Sequence, residues 1–126
     1  MSMRTPLGKV RGLGSAKSGT EHFWMQRVTA IANLPLVLFL VWFIIAHLGV
    51  ARADVVASAG NPFVGILLAL SFISILWHMR LGMQAIIEDY VHGPAAKFVA
   101  LLLNVFFTAA LAVAAFLAIL TMSFAS

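Results

Sequence analysis

Few side chains in this 126-residue sequence can do chemistry, and most of those fall in one stretch: His78, Arg80, Asp89, Tyr90 and His92. At about 100° per residue, Ser74, His78, Gly82, Ala85 and Asp89 share one face of a helix. A neutral imidazole carries a nitrogen lone pair and is a usual axial ligand of haem iron. Gly82 and Ala85 leave a side-chain-poor surface beside His78, against which a planar macrocycle can lie. The alternative is a histidine hydrogen-bonded to a neighbouring helix, and the pattern alone leaves both open. The stripe ends in Glu88-Asp89-Tyr90-Val91-His92-Gly93-Pro94. There a phenol can donate a hydrogen bond to a quinone carbonyl, while Asp or His delivers protons as electrons arrive. An ordinary acidic and aromatic interface, with Tyr90 in an interfacial belt, is the competing reading of that segment.

The elements that position these residues follow from composition. The chain is 63% apolar before its 9 glycines are counted, whereas soluble domains reach about 45–50% with glycine included. With 10% charged residues, a soluble globule and a disordered chain are both excluded. Zero cysteines exclude disulfides, thiolate metal sites, iron–sulfur ligation and cysteine nucleophiles in this chain. The formal charge of +4 lacks a basic run with interleaved aromatics, so no nucleic acid is expected.

Three charge-poor stretches lie between Arg27 and Arg52, between Asp54 and Arg80, and after Lys97. Each exceeds the ~20 residues that a helix needs to cross a bilayer, and lipid leaves the backbone no alternative to helix. The expected fold is an all-α membrane protein with three transmembrane helices, over about 22–50, 62–91 and 96–123. Residues 21–126 form the membrane domain, and the Gly- and Ser-containing segment 1–20 is expected to be a flexible tail. Arg4, Lys9, Arg11, Lys17 and Arg27 precede the first span, while Arg52 alone follows it. The positive-inside rule therefore puts the N-terminus in the cytoplasm, loop 51–61 and the C-terminus outside (periplasmic), and the turn at 88–96 in the cytoplasm. Ala51-Arg52-Ala53 has the form of a signal-peptidase site, but the apolar stretch before it is too long for a signal peptide.

Depth sharpens the chemistry. His78 lies 11 residues from Asp89, about 16 Å at ~1.5 Å per residue, near the middle of a ~30 Å hydrocarbon layer. His47, the other histidine within a span, misses that depth by roughly 14 Å. One chain therefore cannot supply two axial ligands: a partner provides the second, or there is no haem. Arg80 sits about 200° around the helix from His78, and either a partner carboxylate or snorkelling would satisfy it. Pro35 is expected to bend the first span, with Asn33 bonding the backbone that the proline frees. Ala110, Ala114 and Ala118 form a small-residue stripe suited to close helix packing.

Two segments together resemble the small hydrophobic membrane anchor of succinate dehydrogenase, the succinate:quinone oxidoreductase of respiratory complex II. One is His78-Met79-Arg80-Leu81-Gly82-Met83-Gln84-Ala85-Ile86-Ile87-Glu88-Asp89-Tyr90, with a glycine four residues after the histidine and an Asp-Tyr pair eleven and twelve after it. The other is Gly19-Thr20-Glu21-His22-Phe23-Trp24-Met25-Gln26-Arg27-Val28-Thr29-Ala30, leading into the first span. The resemblance covers residues 19–126. It implies packing against a second membrane anchor, a three-helix protein of cytochrome b type, in a bacterial inner membrane, with a flavoprotein and an iron–sulfur subunit docked at the cytoplasmic face. It also implies that His78 is one axial ligand of haem b, that Tyr90 bonds a ubiquinone carbonyl with Asp89 in support, and that Arg27 meets a haem propionate or serves only as a positive-inside charge. Arg80 and His92 depart from the family pattern. On this view the chain does no dehydrogenation itself and serves electron transport and the tricarboxylic acid cycle within the complex. The rival class is a small homo-oligomeric proton channel or transporter using His78 and Arg80 as relays.

Overall fold

The computed structural model describes residues 5–12, 14 and 18–124, and all regular structure among them is helical. Five helices follow in order: α1 (Pro6–Val10), α2 (Ser18–Ala46), α3 (Arg52–Gly60), α4 (Pro62–Tyr90) and α5 (Pro94–Phe124). Three of them, α2, α4 and α5, are long and apolar enough to cross a membrane.

Helix ends are set by local chemistry. Thr5 caps α1 by accepting from Gly8 N–H at 3.1 Å, so part of the expected flexible tail is a short helix with no buried residue. The rest of that tail, residues 1–4, 13 and 15–17, lies outside the described residues. The first spanning helix begins at Ser18 and stops at Ala46, four residues short of the expected 50. Gly49, with φ of 74°, supplies the left-handed turn that ends it, a conformation open to glycine at no steric cost. At the start of α4, Asn61 Oδ1 accepts from Phe63 N–H at 3.0 Å and Pro62 occupies the first turn, where its missing N–H is no loss. The turn from α4 to α5 is fastened by Lys97, whose Nζ donates to Glu88 O at 2.8 Å, a cation on carbonyls at a helix C-terminus.

Segment 51–61 corrects the expected loop, because most of it is α3. Its apolar side is built from small residues that insert closely: Ala59 is only 1% exposed and joins Phe43 and Leu68 in the buried cluster, with Val55, Val64, Ile119 and Met122 against it. Gly65 makes that approach possible, since a Cβ there would meet Ala59 O at 3.2 Å.

The three long helices form a layer. α4 touches α2 on one side and α5 on the other, α3 touches α4 and α5, and among the described residues α2 and α5 do not approach each other's backbone. Two contacts fix the antiparallel register of α2 on α4: Ser71 Oγ donates to Leu36 O at 3.3 Å, and Thr29 Oγ1 lies 3.0 Å from His78 Nδ1. Seven residues back along α2 match seven forward along α4, so Asn33 falls opposite Ser74. Facing the seam, Asn33 does not bond backbone freed by Pro35 as expected. Its Oδ1 is buried without a partner among the described residues, as is Ser74 Oγ. Across the other flank of α4, Asn104 Nδ2 donates to Arg80 O at 3.0 Å. Ala110, Ala114 and Ala118 are exposed and take no part in packing within this chain.

Candidate functional site

The site is built around the Thr29–His78 contact. Position 78 is on the face of α4 that meets α2, so the ring is half-buried in the seam and not turned to lipid. The opposing hydroxyl belongs to Thr29, which is only 9% exposed and also lies 2.8 Å from Met25 O and 3.2 Å from Gln26 O. The bond to a neighbouring helix, left as one alternative for His78, is therefore present, and it engages Nδ1. Nε2 makes no hydrogen bond among the described residues. One turn along, Gly82 faces open space, for an added Cβ there would meet nothing within 4 Å.

This arrangement can be tested for fit to a haem. An imidazole held through one nitrogen retains the other for metal, and a ring plane needs a surface free of side chains next to that ligand. Both conditions are met at His78 and Gly82. No group of three or more His or carboxylate side chains gathers among the described residues.

The remaining residues singled out from the sequence are placed as follows. Asp89 and Tyr90, at the end of α4, are exposed, Tyr90 to 76%, and neither makes a side-chain hydrogen bond among the described residues. Their neighbour Glu88 is engaged, its carboxylate accepting from Gln84 Nε2 at 2.8 Å. Arg27 is exposed with its guanidinium 4.9 Å from the centre of the Phe23 ring. It stands two residues before Thr29, about 200° around α2, and points away from the seam. The structure thus brings Thr29 to His78 and does not bring Arg27 to it. His47 lies just beyond the far end of α2, its Nδ1 2.7 Å from Phe43 O and its ring 4.2 Å from that of Phe43.

Arg80 stands about 200° around α4 from His78, and its long side chain still borders a groove shared with the first turns of α2. Its guanidinium sits 5.6 Å over the Trp77 ring, a cation–π contact that eases a charge placed in an apolar span. It lines a groove of about 400 Å³ with Ser18, Glu21, His22, Gln84 and Glu88, in which His22 Nε2 is buried without a partner among the described residues. His78 is not among the residues that line this groove.

Sequence reasoning overlooked Thr29, Ser71 and Asn104. All three are neutral polar residues inside apolar spans, a signal for interhelical bonding in lipid that a search for ionisable groups passes over.

The family model for the succinate dehydrogenase/fumarate reductase transmembrane subunit matches residues 1–122. The chain is 32% identical over 118 residues to the succinate dehydrogenase hydrophobic membrane anchor subunit of Paracoccus denitrificans, covering 94% of this chain and 91% of that one. This chain belongs to that family. A membrane anchor subunit from Reclinomonas americana is 34% identical over 90 residues, covering 69% of this chain and 75% of its own length. One from Rickettsia bellii is 36% identical over 88 residues, covering 70% of each chain. No solved structure gives a significant match. The matched residues include all of α2 and α4 and nearly all of α5, so the Thr29–His78 pair lies within the family region and the chain is a multi-pass membrane protein of the succinate dehydrogenase anchor family.

Proposed function

We propose that this chain is the hydrophobic anchor of a succinate:quinone oxidoreductase in a bacterial inner membrane, contributing half of a haem b site and part of a ubiquinone-reducing site. The observation that carries the reading is His78: a mid-span imidazole anchored through Nδ1, with no hydrogen bond at Nε2 among the described residues and the open surface of Gly82 beside it. An ionisable side chain at that depth is costly and marks a functional site by default.

The chain's residues divide the work. His78 would hold haem iron through Nε2, with the second axial ligand from a partner three-helix anchor, because His47 lies at the wrong depth. A bound haem supplies a one-electron store within the membrane. Tyr90, exposed at the end of α4, would donate its phenolic hydrogen to a ubiquinone carbonyl oxygen, polarising it toward reduction. Asp89 stands beside it as a carrier for the protons that two-electron reduction to the quinol consumes. Arg27 would either pair with a haem propionate or serve only as a positive-inside charge. Iron–sulfur and flavoprotein subunits, seated at the membrane surface near Tyr90, would deliver the electrons from succinate.

Two substitutions in the assembled complex test this. His78→Ala is expected to abolish the b-type Soret band, and an unchanged spectrum would sink the ligand assignment. Tyr90→Phe is expected to lower quinone reduction by about 10- to 100-fold while sparing succinate oxidation with a soluble artificial acceptor. Equal loss in both assays would remove Tyr90 from the quinone site.

A further inference from the structure

We propose that Thr29 is a positioning residue for His78: its hydroxyl oxygen accepts a hydrogen bond from Nδ1–H across the α2–α4 seam, fixing the ring tautomer that leaves the Nε2 lone pair to bind iron. This rests on the reading of His78 as a haem ligand.

The tautomer follows from counting protons. Thr29 Oγ1 lies 2.8 Å from Met25 O, 3.2 Å from Gln26 O and 3.0 Å from His78 Nδ1. The two carbonyls can only accept, so the single hydroxyl hydrogen is taken by them, more strongly by the nearer Met25 O. What the oxygen offers Nδ1 is a lone pair, and only Nδ1–H can use it. The other tautomer would set two lone pairs against each other, or pull the hydroxyl hydrogen from both carbonyls. It would also put a hydrogen on Nε2, where a metal bond needs a lone pair.

Several features stiffen this arrangement. Thr29 is nearly sealed from solvent, so water does not compete for the ring nitrogen, and the low local dielectric strengthens the bond. Its β-branched side chain is restricted in rotation, and back-bonding one turn down its own helix selects the rotamer that aims the oxygen at α4. The Ser71 bond to Leu36 O, two turns along the same seam, holds the register that brings the pair together.

A ring that donates from Nδ1–H is a stronger base at Nε2, which tightens ligation and favours ferric over ferrous iron. Thr29 would therefore set both the occupancy and the midpoint potential of the haem without touching it.

The test uses the whole membrane complex with Thr29→Val, which keeps shape and loses the acceptor, and Thr29→Ser, which keeps the acceptor. Thr29→Ala covers the case in which valine blocks assembly. Haem is counted per assembled complex, and its midpoint is measured by redox titration of the b-type band. Thr29→Val or Thr29→Ala is expected to bind haem about tenfold or more weakly, with any retained haem titrating at a more positive potential, while Thr29→Ser behaves as the parent. Parental occupancy and midpoint in Thr29→Val would overturn the proposal, as would a serine variant as defective as valine. His78→Ala separates the two readings. If that variant keeps its b-type spectrum, the haem assignment itself fails; if it loses the spectrum while Thr29→Val is unchanged, only the role of Thr29 is lost.

Discussion

The two flanks of α4 hold their neighbours by different means. Toward α2 the helix presents Ser71, Ser74 and His78, and the seam is crossed by Ser71 on a backbone carbonyl and by Thr29 on the imidazole. Toward α5 the mid-span cross-helix bond is Asn104 on Arg80 O, with Lys97 on Glu88 O at the turn, and beside Asn104 runs an apolar groove of about 300 Å³ lined by residues such as Phe72, Leu76, Thr108 and Ala112. Both flanks use polar residues as glue, which is how helices associate where lipid removes the hydrophobic drive. They differ in what is left over. On the α5 side the acceptor is a backbone carbonyl, and no reactive side chain is held by that bond. On the α2 side the bond consumes one nitrogen of a ring that has two. A polar residue in a span is a site when its packing role leaves a reactive atom spare.

That contrast can be broken or sharpened in order of effect. The largest change is expected from Gly82→Leu, which adds a side chain to the open surface beside His78. The chain should still insert and assemble, since nothing of its own among the described residues stands there, but most of the haem should be lost, as read from the pyridine haemochrome spectrum. Normal haem content would remove the ring plane from that surface. Next comes Asn104→Leu, which severs the α4–α5 bond and should shorten the thermal half-life of the solubilised complex through a loss of about 0.6–1.7 kcal/mol, with the haem spectrum unchanged. A spectral change there would mean that the α5 flank also supports the site. Ser71→Ala removes the weaker 3.3 Å cross-helix contact and is expected to cost about 0.6 kcal/mol, with a small loss of haem as the seam loosens. Smallest of all is Thr108→Val. Its hydroxyl bonds only Asn104 O within its own helix, at 2.8 Å, so stability should stay within about 0.5 kcal/mol of the parent.

How much of this is legible in the sequence depends on the kind of physics involved. The three spans are readable because hydropathy and backbone satisfaction in lipid are local properties, and α4 from Pro62 to Tyr90 falls within one residue of its expected bounds. His78 stands out because a titratable group at that depth is rare. α3 is hidden: Arg52 and Asp54 give its segment the look of a loop, while its seat is decided by contact with Gly65, beyond its own C-terminal end. Thr29 is hidden for a different reason. It belongs to a recognisable run, but Arg27, two residues before it, is charged and the more conspicuous candidate. Which residue of α2 meets His78 is a matter of register between two helices, and no spacing within either one encodes it.

The single-layer arrangement carries a consequence for the life of the protein. A layer of spanning helices one helix thick has little interior: Ala59, Leu68 and Ser71 are sealed, while most of the large apolar side chains on the spans are exposed. On the proposed pairing with a second anchor, a copy inserted alone would leave those exposed side chains without their cover. On that reading its abundance would follow the supply of the second anchor, and making more of this protein alone should yield turnover instead of accumulation.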